Sequence, residues 1–322
     1  MKDFQGSLAD TDGIICYYCG FQPVGGMNKE LVDSLPKNVK VLAVPSVGYD
    51  FYDVKALQEK GVILCNSPGM SGHSVADQAL YLVLQVYRFF NLFEASLRQV
   101  KHSNEARRVA TGLDKTTGLL EPSKAENNFC YGERAGPVQM QTPNGHRVGI
   151  VGFGSIGREI GKRLVALGMN IHYHKRTPLG PDEQVDYPIV FHESFEEMCK
   201  ISDLLVLACP LNERTLKMVN VKTIALLPQG AKIVNIGRGK LIDESALADA
   251  LESGKISSVG LDVFENEPLV EPRLINRLDV SLTPHTGGST IESWNSQLDN
   301  CLRNVESVLI KKNPGPHAVN LV

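Results

Sequence analysis

Three short runs in the second half of this 322-residue chain carry side chains suited to acid–base and anion chemistry. They are Asn235-Ile236-Gly237-Arg238-Gly239, Asp262-Val263-Phe264-Glu265-Asn266-Glu267-Pro268 and Thr283-Pro284-His285-Thr286-Gly287-Gly288. An imidazole, whose ordinary pKa is about 6.5, gives or takes a proton near neutral pH, which makes His285 the candidate donor. A carboxylate on its other ring nitrogen would orient the ring and favour the imidazolium. Glu267 is the candidate for that place, with Glu265 as the alternative. Arg238 can hold a carboxylate in a fork, or bridge to a carbonyl oxygen and polarise it. Together the three groups suit reduction of a 2-oxo acid, in which a hydride reaches the ketone carbon and the new alkoxide takes a proton. His73, in Gly72-His73-Ser74, is a second candidate donor, and its position reads equally as helix-cap decoration. His102, His146, His172, His192 and His317 lack any such context, and Trp294 reads as a packing anchor.

A hydride needs a carrier. Gly152-Phe153-Gly154-Ser155-Ile156-Gly157 follows the apolar run Val148-Gly149-Ile150-Val151 and opens a pattern with apolar residues at 156, 160, 164 and 167. In that setting the first glycine makes a tight turn, the second lets backbone approach a pyrophosphate, and the third packs helix on strand. The helix N-terminus then offers free N–H groups to the phosphates. Cofactor choice is read at the end of the next strand, about 20 residues on. There, 22 residues after Gly152 (174 − 152), stand His174-Lys175-Arg176-Thr177, with no carboxylate. A carboxylate would repel a ribose 2′-phosphate, whereas Arg176 can grip one. The expectation is NADP(H), with NAD(H) still possible and a plain solvated basic turn as the alternative.

Positioning these groups requires a particular frame. From about residue 146 short apolar runs alternate with helical patterns: strands at Asn170–Tyr173, Leu204–Ala208, Lys232–Ile236, Val259–Val263 and Val280–Leu282, and a helix at Glu244–Leu251. Such alternation implies a parallel sheet with helices on both faces. The first part alternates as well, with strands at Gly13–Tyr18, Val39–Val44 and Val62–Leu64 and helices at Lys29–Leu35 and Asp53–Lys60. Ser74–Phe90 reads as a long helix. Between Lys101 and Gly145 the periodicity fades, which reads as a functional excursion or a mobile loop.

Composition narrows the class. With 33 basic and 36 acidic side chains, the net charge of −3 gives no global field favouring nucleic acid or an anionic membrane. No apolar run approaches the ~20 residues of a membrane span, and the N-terminus lacks a signal pattern, so the cytoplasm is expected. Seven scattered cysteines argue against a disulfide framework. Cys16-Tyr17-Tyr18-Cys19 has redox-pair or half-zinc-site spacing. It lies in an apolar run with no further ligand pair, so buried strand thiols and no metal are expected.

These runs resemble the D-isomer-specific 2-hydroxyacid dehydrogenases. The resemblance extends from about Leu8 to Val322, and includes Val47-Gly48-Tyr49-Asp50, Asn66-Ser67-Pro68-Gly69 and Cys209-Pro210-Leu211. It implies two doubly wound parallel-sheet α/β domains. A Rossmann-type nucleotide domain, 75–288, would be inserted in a smaller flavodoxin-like substrate domain, 1–74 with 289–322, with substrate and cofactor in the cleft. It assigns catalysis to Arg238, Glu267 and His285, and substrate binding to Arg238 and the backbone N–H groups of Val47 and Gly48. The cofactor would meet Gly152, Gly154, Ser155, Ile156, Gly157, His174, Lys175, Arg176, Cys209, Pro210, Ile236, Asp262, His285 and Gly287, with Asp262 on the nicotinamide carboxamide.

The implied reaction interconverts a small 2-oxo acid of glyoxylate or hydroxypyruvate type and its D-2-hydroxy acid, in a homodimer. An aryl acid such as benzoylformate is the competing substrate. Formate dehydrogenase chemistry is disfavoured, since those relatives carry Gln where this chain has Glu267. Two departures stand out. An additional strand and helix normally precede the segment matching Asp12–Tyr18, and 101–145 is longer than the family pattern. Family members that act as dinucleotide-binding corepressors, and an inactive truncated relic, remain as alternatives.

Overall fold

The computed structural model describes residues 6–16 and 26–321. The chain divides into two compact units, one running up to Ser74 and resuming at Gly288, the other Val75–Gly287. Among the described residues no helix is long and apolar enough to cross a membrane.

The first unit holds three parallel strands in the order β1-β2-β3: β1 Gly13–Ile15, β2 Val41–Ala43 and β3 Ile63–Cys65. Alternation along a strand sends successive side chains to opposite faces. Leu42 and Leu64 join Val32 and Leu57 on one face, while Val41, Ala43 and Cys65 join Cys301 and Val308 on the other. The second face is covered by the helix Ile291–Leu309, which starts where the Thr290 side chain accepts from the Ser293 N–H at 3.2 Å. Asn28 and Asp53 cap the helices Lys29–Ser34 and Val54–Glu59 in the same way. Of the Cys16/Cys19 pair, Cys16 is a buried thiol and Cys19 lies outside the described residues.

The second unit begins its strands with a short hairpin, β4 Arg134–Ala135 against β5 Val138–Gln139. Seven parallel strands follow: β6 Arg147–Val151, β7 Asn170–His174, β8 Ile189–Phe191, β9 Leu204–Leu207, β10 Ala231–Asn235, β11 Ile256–Leu261 and β12 Val280–Leu282. Their spatial order is β12-β11-β10-β9-β6-β7-β8, which is the doubly wound arrangement. Both faces are buried. Val148, Ile150, Leu204 and Val206 face one helix layer, including Ala79, Leu82 and Val86 of the helix Gly72–Arg88, and Leu205, Leu207, Ile233 and Val259 face the other. Strand order reverses on either side of β6, so the ends of β6 and β9 form the switch point where such sheets bind ligands.

One expectation needs correction, and one strand had no counterpart in the sequence reading. The 101–145 segment is not irregular throughout: Ser103–Ala110 is a helix, and Phe89, Leu92, Ala110, Leu113 and Ala135 form a core of their own. Two helical turns give too short a pattern to stand out in sequence. Their start rests on His102, whose ring accepts from the Glu105 N–H at 3.3 Å, a role few histidines advertise. Ile189–Phe191 is a strand that three residues at a sheet edge could not signal.

Candidate active site

The glycine run forms the turn from β6 into the helix Ser155–Ala166. Gly152 has φ +87°, and a Cβ there would lie 2.7 Å from the Cys209 backbone. A Cβ on Gly157 would come within 2.2 Å of the Gly152 carbonyl oxygen. These two glycines are required by the protein's own backbone. Gly154 is different: it is the helix N-cap, no side chain caps it, and a Cβ there would meet nothing within 4 Å. That bare, N–H-lined edge, with Ser155 exposed and Ile156 half-buried, is a cradle that fits a pyrophosphate.

The Gly152 N–H donates to the His174 carbonyl at 2.8 Å, which places the end of β7 beside this turn. His174 Nδ1 lies 3.0 Å from the His192 carbonyl oxygen. Lys175 is committed to Glu183 at 3.1 Å, and Arg158 of the glycine-turn helix reaches the same carboxylate at 3.0 Å. Arg176 is exposed and makes no ion pair among the described residues. The Glu183 carboxyl is held below its ordinary value because Lys175, the Gly180 N–H and Arg158 all stabilise its charge. Sequence reading missed Arg158 and Glu183, since their meeting depends on topology and no local motif marks it.

On the other flank of the switch point, Cys209 and Pro210 follow β9. The Cys209 thiol faces Met218 Sδ at 3.9 Å, and burial pushes it up to about 12, so it stays a thiol. Ile236, after β10, is buried and its N–H donates to the Leu207 carbonyl. Asn235 braces the next turn at both ends, accepting from the Gly237 N–H at 3.0 Å and donating to the Arg238 carbonyl at 2.8 Å. Arg238 is half-buried, and its Nη1 donates to the Gly237 carbonyl at 2.7 Å. At Gly239 a Cβ would lie 1.8 Å from the Phe264 carbonyl carbon, so glycine there lets the Arg238 turn lie against the next loop.

That loop carries Glu267. Its Oε1 accepts from the Phe264 N–H at 3.0 Å, and its Oε2 lies 3.0 Å from His285 Nδ1. Burial raises the Glu267 pKa, but the His285 contact, the Phe264 N–H and the Arg238 charge outweigh it and hold the carboxyl below its ordinary range. An ionised Glu267 on Nδ1 leaves Nε2 of His285 for a reacting group. Glu265 does not take this place. It accepts from the Glu244 N–H at 3.1 Å and pairs with Lys217 at 2.8 Å, while its own N–H donates to Glu244 Oε1 at 2.9 Å.

His285 occupies the left-handed region at φ +55°, which is costly for a residue with a Cβ. The conformation is held by Asp262, which is 2% exposed. Its Oδ1 accepts from Thr283 Oγ1 at 2.7 Å and the Thr286 N–H at 2.9 Å, and its Oδ2 from the Gly287 N–H at 2.9 Å. A carboxylate offers about four acceptor positions, so one remains. Among the other histidines, His172 and His192 contact each other at 2.9 Å, His146 packs edge-on against Tyr87, and His317 and the exposed His73 lie in the other unit. Trp294 lies in the helix Ile291–Leu309.

In the first unit the loop after β2 is shaped by its carbonyls. Ser46 Oγ donates to Gly48 O at 2.7 Å, and Asn66 Nδ2 to Val47 O at 2.8 Å. The N–H groups of Val47 and Gly48 have no acceptor among the described residues. Among those residues no cluster of His, Cys, Asp and Glu could hold a metal.

Comparison with known proteins identifies the family. The profile of the D-isomer specific 2-hydroxyacid dehydrogenase, NAD binding domain, matches residues 114–287. The chain is 35% identical over 287 residues to 4-methyl-2-oxopentanoate reductase A of Aspergillus oryzae, covering 89% of this chain and 77% of that protein. It superposes with a TM-score of 0.85 on holo D-mandelate dehydrogenase of Rhodotorula graminis, at 30% identity over 99% of this chain and 86% of the other. An NADPH-dependent glyoxylate/hydroxypyruvate reductase of Sinorhizobium meliloti, solved with NADP and malonate, superposes with a TM-score of 0.78 at 28% identity, over 98% and 85%. The chain belongs to the D-isomer specific 2-hydroxyacid dehydrogenases, and is an oxidoreductase.

Proposed function

We propose that this protein reduces a small 2-oxo acid of the glyoxylate or hydroxypyruvate type to its D-2-hydroxy acid, reversibly, with NADPH as the preferred reductant. The observation that carries the reaction is the 3.0 Å contact between Glu267 Oε2 and His285 Nδ1, at the strand ends that also hold the glycine turn and Arg238. The dinucleotide, when bound on Gly152–Gly157, supplies the hydride. His285 gives its Nε2 proton to the alkoxide as it forms, and Glu267 stabilises the imidazolium before transfer. Arg238 steadies the substrate carboxylate or polarises the ketone, and its charge matches the growing negative charge on oxygen. The N–H groups of Val47 and Gly48 are the further donors we assign to the carboxylate. Asp262 keeps His285 in its strained conformation, and its remaining lone pair suits the carboxamide N–H.

NADPH preference rests on the turn after β7. Arg158 and Lys175 share one carboxylate there, Glu183, and Arg176 makes no ion pair among the described residues, so its guanidinium is free for a 2′-phosphate. The similar reductase of Sinorhizobium meliloti, which is NADPH-dependent, supports the same choice. Phe90, Leu97, Leu119, Phe129 and Tyr131 are exposed apolar side chains that suit a homodimer contact, and we place the enzyme in the cytoplasm.

The test is initial-rate kinetics with NADPH and NADH against glyoxylate, hydroxypyruvate, 4-methyl-2-oxopentanoate and benzoylformate, with the product's configuration determined. Highest kcat/KM for hydroxypyruvate or glyoxylate with NADPH is expected. A protein that prefers NADH, or one that turns over only the bulky acids, contradicts this reading.

A further inference from the structure

At the opposite end of the seven-stranded sheet, where β10 and β11 begin, lies a cavity of about 520 Å³. Its lining includes Lys115 and Lys232, Gln141 and Gln229, and Ser253 and Ser257. Strand β10 runs five residues from Ala231 to Asn235, so at ~3.3 Å per residue this cavity is about 13 Å or more from the Arg238 turn. It is a separate place.

Lys232 is the anomaly. It is 4% exposed, yet no carboxylate comes within ion-pair distance among the described residues. Its Nζ donates once, to Gln141 Oε1 at 2.9 Å, and sits 4.6 Å from the centre of the Tyr87 ring. An ammonium has three donors, and burying one without a counter-ion is costly. The acid that attracts it, Asp203, is already paired with Arg147 at 3.2 Å. Lys115 donates to Asp279 Oδ2 at 2.6 Å and Ser257 O at 2.7 Å, and Asp279 is shared with the buried Arg277 at 2.9 Å. Lys115 and Arg277 share one anion, Asp279, and Lys232 feels only Asp203, whose charge Arg147 already balances, so four cations stand against two anions and an excess of two positive charges remains in a protein whose overall charge is −3.

We propose that this cavity binds a small dianionic phosphate ester, whose phosphate lies between Lys115 and Lys232. The charge of such a group equals the local excess. A cavity of 520 Å³ is within the range of small-ligand sites and larger than phosphate alone requires. The amides and hydroxyls around it suit the hydroxyls of a small polyol or sugar carbon skeleton. Burial pushes the Lys232 amine down to about 8, against the pull of Asp203, and holds the Lys115 amine below its ordinary value. Both amines would regain their preference for the charged form against a phosphate.

The experiment uses the whole protein saturated with NADPH, so that the dinucleotide site is filled. Inorganic phosphate, glycerol 2-phosphate and succinate are titrated at constant ionic strength, read by calorimetry and thermal shift. Saturable binding of both phosphates, with succinate weaker, is expected. Lys232→Met keeps the volume and removes the buried charge, while Gln141→Glu supplies an internal carboxylate to the same amine. Each should weaken phosphate at least tenfold, and the second keeps the test sound if the first does not fold. Phosphate binding that both variants retain, or no saturable binding to the unmodified protein, overturns the proposal. Tighter succinate than phosphate would replace the phosphate ester with a dicarboxylate and overturn the stated class.

Discussion

The two ends of the seven-stranded sheet handle buried charge in opposite ways. Where the strands finish, the buried carboxylates have met their partners: Glu267 holds His285 and the Phe264 N–H, Asp262 takes three donors, and Glu265 takes Lys217. Where β10 and β11 begin, Lys232 is buried with an amide and an aromatic face for company. A closed network at the finishing end fixes geometry, which is what proton and hydride transfer need. An open excess of charge at the starting end is a demand for a ligand. Elements shared by both ends, above all β10, carry the two designs without mixing them.

The largest effect expected is at the finishing end. His285→Ala should lower kcat/KM for every 2-oxo acid by about 10²–10⁴-fold, the range for loss of a general acid. The phosphate response at the starting end should be unchanged, which separates the two ends in one variant. Near-normal turnover in His285→Ala would move the donor elsewhere, with His73 next to be tested.

Glu267→Gln keeps an acceptor on His285 Nδ1 and removes the charge. A loss of about a hundredfold in kcat/KM is expected, in the upper range for a group that orients a functional histidine. The loss should fall on kcat and leave NADPH affinity within a few-fold, and an unchanged kcat would make Glu267 a structural brace only.

Arg176→Ala addresses cofactor choice alone. One charge-assisted hydrogen bond contributes roughly 1.5–3 kcal/mol, so kcat/KM with NADPH should fall about ten- to a hundredfold while NADH changes little. Equal losses with both cofactors would show that Arg176 does not read the 2′-phosphate.

How far the finishing end could be read in sequence follows from where its residues lie along the chain. Each strand is followed at once by its functional run, so Gly152–Gly157, Arg238, Glu267 and His285 are visible as contiguous motifs. What holds them is not. The bonds of Asp262 to Thr286 and Gly287, and the exchange between Glu244 and Glu265, join residues 21 to 25 apart and need the fold to bring them together. At the starting end nothing is contiguous. Lys115, Gln141, Lys232 and Ser257 come from four separate segments, and Lys232 by itself reads as an ordinary charged residue at the head of a strand. The helix Ser103–Ala110 escaped notice for a related reason, since its buried Ala106, Val109 and Ala110 are too few to set a period.

The smallest expected effect tests the opposition of the two ends directly, through stability against pH. Glu244 is 3% exposed, and burial pushes its carboxyl up to about 7, with Glu265, Glu271 and Glu267 adding repulsion against the partial relief of the Glu265 N–H. Its ordinary value is 4.5, so between pH 4.5 and 7 the folded state holds a proton that the unfolded chain has released. Stability from this group is complete below 4.5 and is lost as pH rises through 7. Lys232 has the reverse slope: its folded value of about 8 lies below 10.5, so stability rises as pH passes from 8 to 10.5. One pKa unit corresponds to about 1.4 kcal/mol, and relaxation around buried groups should leave roughly 1–2 kcal/mol in each window. Thermal unfolding from pH 4.5 to 10.5 measures both. Glu244→Gln, which still accepts from the Glu265 N–H, should flatten the lower window and raise Tm at pH 8 by a few degrees, roughly 2–4 °C per kcal/mol. Lys232→Met should flatten the upper window and leave the lower one alone. If Glu244→Gln keeps the unmodified slope between pH 4.5 and 7, Glu244 is ionised in the folded protein at ordinary pH, and the finishing end carries an unrelieved buried charge just as the starting end does.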